Sequence, residues 1–338
     1  MEYSNKQFLL KKRPKGMPLD ECWKLNEEKI TSLKDNEILI EVKYLSIDPY
    51  MRGRMNAGPS YASPVEIGGV MEGEVIAKVI DSKSRLYQKG DMVNAKIGWQ
   101  KYEVLYENEP SISKINTPKD LPITYSLGIL GMPGRTAHLG YFEILKPKPG
   151  ETIVVSAASG AVGSIVGQLA KLMGCTVIGI VGSDKKVNYC KNELNFDYCF
   201  NYNTQDIDSE LGKLGENYIN MYFDNVGGEI SDAVLNHIAL FSRTAVCGQI
   251  ATYNSPTPPM GPRVARTLLT KQSTMQGFIV FNFAHKYEEA ISNLSNWIKE
   301  GKIVYKEDIN EGFNNIPLNF MKLFESENFG KLVVDVRS

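Results

Sequence analysis

ETIVVSAASGAVGSIVGQLAKLMGCTVIGIVG, from Glu151 to Gly182, is the stretch whose reading decides the fold. It opens on Thr152-Ile153-Val154-Val155-Ser156, a short apolar β-branched run of the kind found in a strand buried on both faces of a parallel sheet. A tight turn follows at once. Ala158-x-Gly160-x-x-Gly163 has the spacing of a dinucleotide fingerprint with alanine in the first place. Gly160 would let the backbone approach a pyrophosphate, and Gly163 would let the next helix pack close to the strand. Val162, Ile165, Val166, Leu169, Ala170 and Met173 then recur at the spacing of one apolar helical face, and Gly174 sits where a C-terminal cap is wanted. A second buried strand, Thr176 to Val181, completes a βαβ unit. Strand, turn, helix and strand come in the required order, which favours dinucleotide binding over a tight turn in some other α/β protein. The helix N-terminus would then offer unpaired N–H groups and partial positive charge to a diphosphate.

The end of the second strand bears on which nicotinamide cofactor is used. An NAD site usually places Asp or Glu there, about 20 residues past the glycines, to hold the ribose 2′-hydroxyl. This chain has Gly182, followed by Ser183-Asp184-Lys185-Lys186. A hydroxyl and an ammonium there could face a 2′-phosphate, which points to NADPH. The lysines could equally be a solvated pair. Asp184 could approach a ribose, but its position before a helical run makes it the expected N-cap.

The chain of 338 residues is long enough for two domains with sizeable cores. With 43% hydrophobic and 23% charged residues it has the composition of an ordinary soluble globular protein. A net charge of −1 argues against a polyanion-binding surface, so nucleic acid is not an expected partner. No long apolar run suggests a membrane span, and the first residues, MEYSNKQFLLKKRPKG, lack a signal-peptide core, so a cytoplasmic location is expected. Cys22, Cys175, Cys190, Cys199 and Cys247 are scattered without C-x-x-C spacing and are expected to be reduced and mostly buried. His138, His237 and His285 are equally isolated, and no metal cluster can be drawn from spacing.

Up to about Leu121 the chain does not alternate strand and helix. Runs at 37–44 and 73–80 alternate apolar and polar in part, and Lys89-Gly90-Asp91 marks a turn, so a small, mostly β domain is expected. After a connector at Pro118 to Pro122, βα units run on. Helices are expected over 186–194, 230–239 and 286–300, and strands over 198–200, 220–224, 244–247 and 277–280. Such alternation argues a doubly wound parallel sheet. The tail, with 302–308, a helix near 318–324 and the strand 331–336, could rejoin the first domain. The expected division is therefore 1–122 with 303–338 for the mostly β domain and 123–302 for an inserted cofactor domain, with a substrate cleft between them.

From Leu45 to Val334, several stretches match a family pattern. They are LSIDPYMRGRM from Leu45, PVEIG-VMEGEVI from Pro64, GILGMPG-TA from Gly128, VSAASGAVGS from Val155, VGSDKKV from Val181, FDNVGGE from Phe223, CGQIATYN from Cys247, QGFIV from Gln276, EGKIVYKEDI from Glu300 and ENFGKLVV from Glu327. Together they resemble the medium-chain dehydrogenase/reductase superfamily, and within it the zinc-independent, NADPH-dependent alkenal/one double-bond reductases. The resemblance implies an α/β fold, a doubly wound Rossmann domain inserted into a mostly β GroES-like catalytic domain, and a homodimer. It also implies that Gly160, Ala161, Val162 and Gly163 form the phosphate turn. Lys186, Tyr202 and Ser183 resemble the 2′-phosphate contacts. Asn225, the segment from Cys247 and Gly248 to Tyr253, Phe278-Ile279-Val280 and Asn328 look like the remaining cofactor contacts. Read alone, Phe278 to Val280 is a core strand, and Asn225 and Asn328 are turn residues.

Tyr253 is similar to the family's proposed catalytic tyrosine, and Tyr50 resembles a residue lining its substrate site. Alone, either is an amphipathic core-edge tyrosine. Arg52 could pair with Asp48 or another acid, or take a ligand role. Zinc enzymes of the superfamily carry a cysteine ligand where this chain reads SIDPYMR, and a four-cysteine lobe that has no counterpart here, so no metal is expected. The chain departs from the family at Arg135, His138 and Asn203, which bears on substrate preference. The activity implied is NADPH-dependent reduction of the double bond of small enals and enones, an EC 1.3.1 type of chemistry. A quinone reductase of the same superfamily and a non-catalytic NADPH-binding protein are the alternatives.

Overall fold

The computed structural model describes residues 2–337; the end residues Met1 and Ser338 of the expected domain bounds lie outside the described residues. The chain divides into two compact units, Met1–Gly128 with Asp308–Ser338, and Ile129–Glu307. Both divisions fall a few residues beyond the expected 122 and 302. The reason is local packing. Leu127 is buried with Ile76 and Val333, with Ile123 packed against them, which ties the turn Ile123–Leu127 to the first unit. At the other end the Gln168 amide exchanges two hydrogen bonds with the backbone of Val304, at 2.7 and 2.8 Å, so 303–307 stays with the second.

The first unit is a seven-stranded sheet with a separate two-stranded hairpin of Tyr3–Leu10 and Trp23–Ile30. Its central strand Glu37–Ser46 pairs antiparallel with Val75–Ser82, and the tail strand Lys331–Asp335 joins its other edge, with Val333 opposite Ser46. Phe8, Trp23, Trp99 and Phe320 pack ring to ring, the two indoles 4.9 Å apart. Beside this apolar mass lies one fully buried ion pair. The Lys331 ammonium donates to Asp48 at 2.8 Å and to the Ile47 carbonyl at 2.9 Å. Arg52 instead donates to Asn56 and to the carbonyl of Gly16.

The second unit contains six strands, labelled here β1 (Thr152–Ser156), β2 (Thr176–Val181), β3 (Tyr198–Asn201), β4 (Ile219–Asp224), β5 (Ile238–Val246) and β6 (Thr274–Gly277). All neighbours are parallel and the order is β3-β2-β1-β4-β5-β6. Alternate residues feed opposite faces. Val154, Ile178, Ile180 and Tyr222 pack on the helices Ile207–Leu214 and Gly228–Asn236. Gly179, on the other face of β2, stands against Phe196, which also touches the helix Gly163–Leu172. Helices therefore cover both faces, as in a doubly wound fold.

Four local expectations are corrected. Helix 230–239 runs only from Gly228 to Asn236, and β5 begins at Ile238 rather than Thr244. Ile219 pairs with Ile238 and Met221 with Arg243, so β5 bulges around Phe241, whose φ is 62°. The expected strand 277–280 ends at Gly277, and Val280 opens a short 3₁₀ segment. The N-cap of the helix Asp184–Asn192 is Ser183, which accepts from the Lys186 N–H. Asp184 instead accepts from the Asn201 amide at 2.8 Å.

His138 lies in the helix Met132–Leu139, 5% exposed, stacked on Trp297, with Nε2 3.3 Å from the Asn293 amide. Burial lowers its pKa; Glu289 and Glu143 oppose this and Lys286 reinforces it. The folded imidazole is thus neutral over a range where the unfolded one takes up a proton. Stability from this group is present above about pH 6.5 and is lost as pH falls below that, by up to about 1.4 kcal/mol per pH unit. Urea unfolding at pH 7.5 and 5.5 is expected to show a smaller loss in His138→Phe than in the parent. Equal losses would remove His138 from the pH response.

Among the described residues no helix is long and apolar enough to cross a membrane. All five cysteines are free thiols, four of them buried.

Candidate functional site

The sheet order reverses between β1 and β4, and ligands of open α/β sheets bind outside the carboxyl ends of strands at such a point. Nearly every expected contact of the second unit lies at one of those ends. β1 ends at Ser156, and the chain turns through Ala157, whose φ is 49°, into the helix that starts at Gly163. A Cβ at 163 would stand 2.4 Å from the Ala157 carbonyl oxygen, so only glycine lets the helix begin this close to the strand. Gly160, Ala161 and Val162 form the rest of the turn. The N-cap Val162 offers no side-chain hydrogen bond, as expected of a helix end open to an anion.

At the end of β2, Ser183 and Lys186 begin the helix Asp184–Asn192, with Lys186 only 7% exposed. Tyr202 follows β3, its N–H bonded to the Val181 carbonyl at 3.0 Å, so the two strand ends are fixed together. Asn203 donates to the Gly182 carbonyl at 2.8 Å.

β4 ends at Asp224-Asn225. The Asn225 amide donates to the Ser156 carbonyl at 2.7 Å and its N–H to the Ser156 hydroxyl at 2.9 Å, which pins the two sides of the switch point. From β5 come Cys247 and Gly248, then the short turn Ile250–Thr252 and Tyr253. The Tyr253 hydroxyl accepts from the Gln249 N–H at 3.3 Å. Burial, with the Asp224 charge second, pushes the Cys247 thiol up to about 12, so it stays protonated. An open groove of about 440 Å³ lies here, lined by Val246 to Gln249, Tyr253, Gly277 to Ile279 and Asn282.

The structure therefore gathers Cys247, Gly248, Tyr253, Phe278 and Ile279 around one groove. Val280 is set apart, packed on Leu139 and Ala290. Tyr50 and Asn328 belong to the other compact unit. Tyr50 opens the helix Tyr50–Arg54, and burial, then the charges of Asp48, Glu72 and Glu74, hold its phenol well above the usual range. The Asn328 amide donates to the Gly330 carbonyl at 3.2 Å. Sequence reasoning passed over Ser156, Asp224 and Asn282. Asp224 had one visible signal, its place at a strand end before the Gly227-Gly228 pair.

Fold and strand order are those of a dinucleotide-binding domain. Two family models match, N-terminal domain of oxidoreductase over residues 6–114 and zinc-binding dehydrogenase over 161–296. Despite the second name, no group of three or more His, Cys, Asp or Glu among the described residues is placed to hold a metal ion. The chain is 40% identical to the NADPH-dependent curcumin reductase of Escherichia coli, covering 98% of this chain and 97% of that one. It is 41% identical to the NADP-dependent 2-alkenal reductase of Nicotiana tabacum, over 99% and 98%. The crystal structure of CurA from Vibrio vulnificus with NADPH superposes with a TM-score of 0.93 at 40% identity, over 98% and 99%. The chain belongs to the NADPH-dependent alkenal/one reductase family of the medium-chain dehydrogenase/reductase superfamily.

Proposed function

We propose that the protein reduces the carbon–carbon double bond of α,β-unsaturated aldehydes and ketones, with hydride going to the β-carbon and Tyr253 supporting the resulting enolate. The observation that carries this reading is the place of Tyr253 on the groove at the carboxyl ends of β5 and β6, with its hydroxyl oxygen accepting the Gln249 N–H. The names of the curcumin and 2-alkenal reductases support a double-bond substrate.

NADPH, when bound, supplies the hydride. The residues present fit it. The open helix end after Gly160 would take the diphosphate, Ser183, Lys186 and Tyr202 the 2′-phosphate, and Gly248 with Phe278 and Ile279 the nicotinamide end. As hydride reaches the β-carbon, negative charge gathers on the carbonyl oxygen, and a preorganised donor there lowers the barrier. An O–H whose oxygen already accepts an N–H is polarised toward donation, which suits Tyr253 to that place. Val246, Phe278 and Ile279 give the groove an apolar wall against which the hydrocarbon part of an enone could rest. We further propose that Tyr50 lines the substrate site and Asn328 contacts the cofactor, as the family resemblance implies, and that the protein is a homodimer.

NADPH oxidation against a panel of enals, enones and quinones tests the reading. Turnover is expected with enals and enones. Turnover of quinones alone would make the protein a quinone reductase, and turnover of neither would favour a non-catalytic NADPH-binding role.

A further inference from the structure

Asp224 is 2% exposed, yet its carboxylate has a full set of donors. Oδ1 accepts from the N–H groups of Val226 at 3.0 Å and Gly227 at 2.9 Å, the Tyr222 hydroxyl at 2.9 Å and the Ser156 hydroxyl at 3.3 Å. Oδ2 accepts from the Ser231 hydroxyl. These five donors are neutral, so the buried charge is met by hydrogen bonds alone, an arrangement that is costly to disturb. Burial and the Asp224 charge hold the Tyr222 phenol protonated, so its O–H remains a donor.

The loop fixed in this way carries the next segment. The Val226 carbonyl accepts the Ala251 N–H at 3.0 Å, two residues before Tyr253. The Asp224 carbonyl accepts the N–H groups of Cys247 at 2.8 Å and Gly248 at 3.1 Å. Gly227, with φ 71°, lies so near Gln249 that a Cβ would stand 3.1 Å from its side chain. Gln249 is the residue whose N–H meets the Tyr253 hydroxyl.

We propose that Asp224 is a positioning residue that clamps the loop Asn225–Gly228 and, through the Val226 carbonyl, sets where the Cys247–Tyr253 segment stands. The catalytic part of this inference rests on the role proposed for Tyr253; the mechanical part does not. Asp224→Asn is the mild variant. Its amide oxygen can still take the Val226 and Gly227 N–H groups, while its NH₂ faces Ser231, whose hydroxyl can reverse to accept.

Hydrogen exchange on the cofactor-free protein reads the mechanical part. Asp224→Asn is expected to raise exchange about 10-fold or more in 225–228 and 247–253, with the central strands β1 and β2 changed far less. Ser231→Ala, which keeps both N–H contacts, should give a smaller rise in the same two segments and serves if the first variant does not fold. Unchanged exchange there, or an equal rise across the whole sheet, would overturn the proposal. Hydride transfer to an enone reads the catalytic part. Tyr253→Phe should cost at least about threefold less in the Asp224→Asn background than in the parent, because the hydroxyl is already displaced. A full-sized effect in both backgrounds would refute coupling through the segment. No effect of Tyr253→Phe in the parent would refute the role of Tyr253, and the exchange result would still decide the clamp.

Discussion

Tyr253→Phe is expected to slow hydride transfer to an enone by about 10- to 1000-fold, the range from one ordinary donor to a full oxyanion-hole contact. The substitution keeps the ring that borders the groove and deletes only the hydroxyl that accepts the Gln249 N–H. NADPH affinity should change much less, unless the hydroxyl also anchors the nicotinamide ribose. Quinones accept electrons more readily and need less help with developing charge, so their reduction should fall less than that of enones. Single-turnover measurements with one enone and one quinone, beside an NADPH titration, separate these effects. An unchanged enone rate would remove Tyr253 from the chemistry.

The second large effect is expected at Lys186. The side chain is nearly buried at the start of the helix capped by Ser183, beside the end of β2. Truncation to alanine would mix a lost charge with a cavity, so Lys186→Met, which keeps the apolar stem, is the cleaner change. Losing one charge-assisted contact to a 2′-phosphate costs about 1.5–3 kcal/mol, or roughly 10- to 100-fold in NADPH affinity. NADH, which lacks that phosphate, should bind as before. An equal loss for both cofactors would mean that Lys186 acts on the fold or on the diphosphate.

What could be read from the sequence follows from how each element is buried. β1, the glycine turn, its helix and β2 were legible because both strands are covered on both faces and so run continuously apolar, while the helix between shows a clean 3.6-residue stripe. β5 was half hidden because Leu240 and Phe241 are exposed on a bulge, which breaks the pattern that marks a buried strand. The move of the N-cap from Asp184 to Ser183 depended on Asn201, a residue of another strand that competes for the Asp184 carboxylate.

The site was legible to a lesser degree. The turn residues declare themselves by spacing, but Tyr253 and Asn225 gain meaning only from the family resemblance or from three-dimensional neighbours. Asp224 shows the limit most clearly. In the sequence it is only the last residue of the expected strand 220–224, while its five donors come from Ser156, Tyr222, Val226, Gly227 and Ser231 on three separate elements and a loop. No local pattern announces that convergence.

The central claim is that the hydride goes to the β-carbon of the double bond rather than to the carbonyl carbon. It is tested most directly by supplying NADPH deuterated at the transferred position of C4, with an acyclic enone as acceptor, and locating the label in the product by NMR. The account predicts a saturated ketone carrying deuterium at the β-carbon. Deuterium on a carbinol carbon, with the double bond intact, would contradict it.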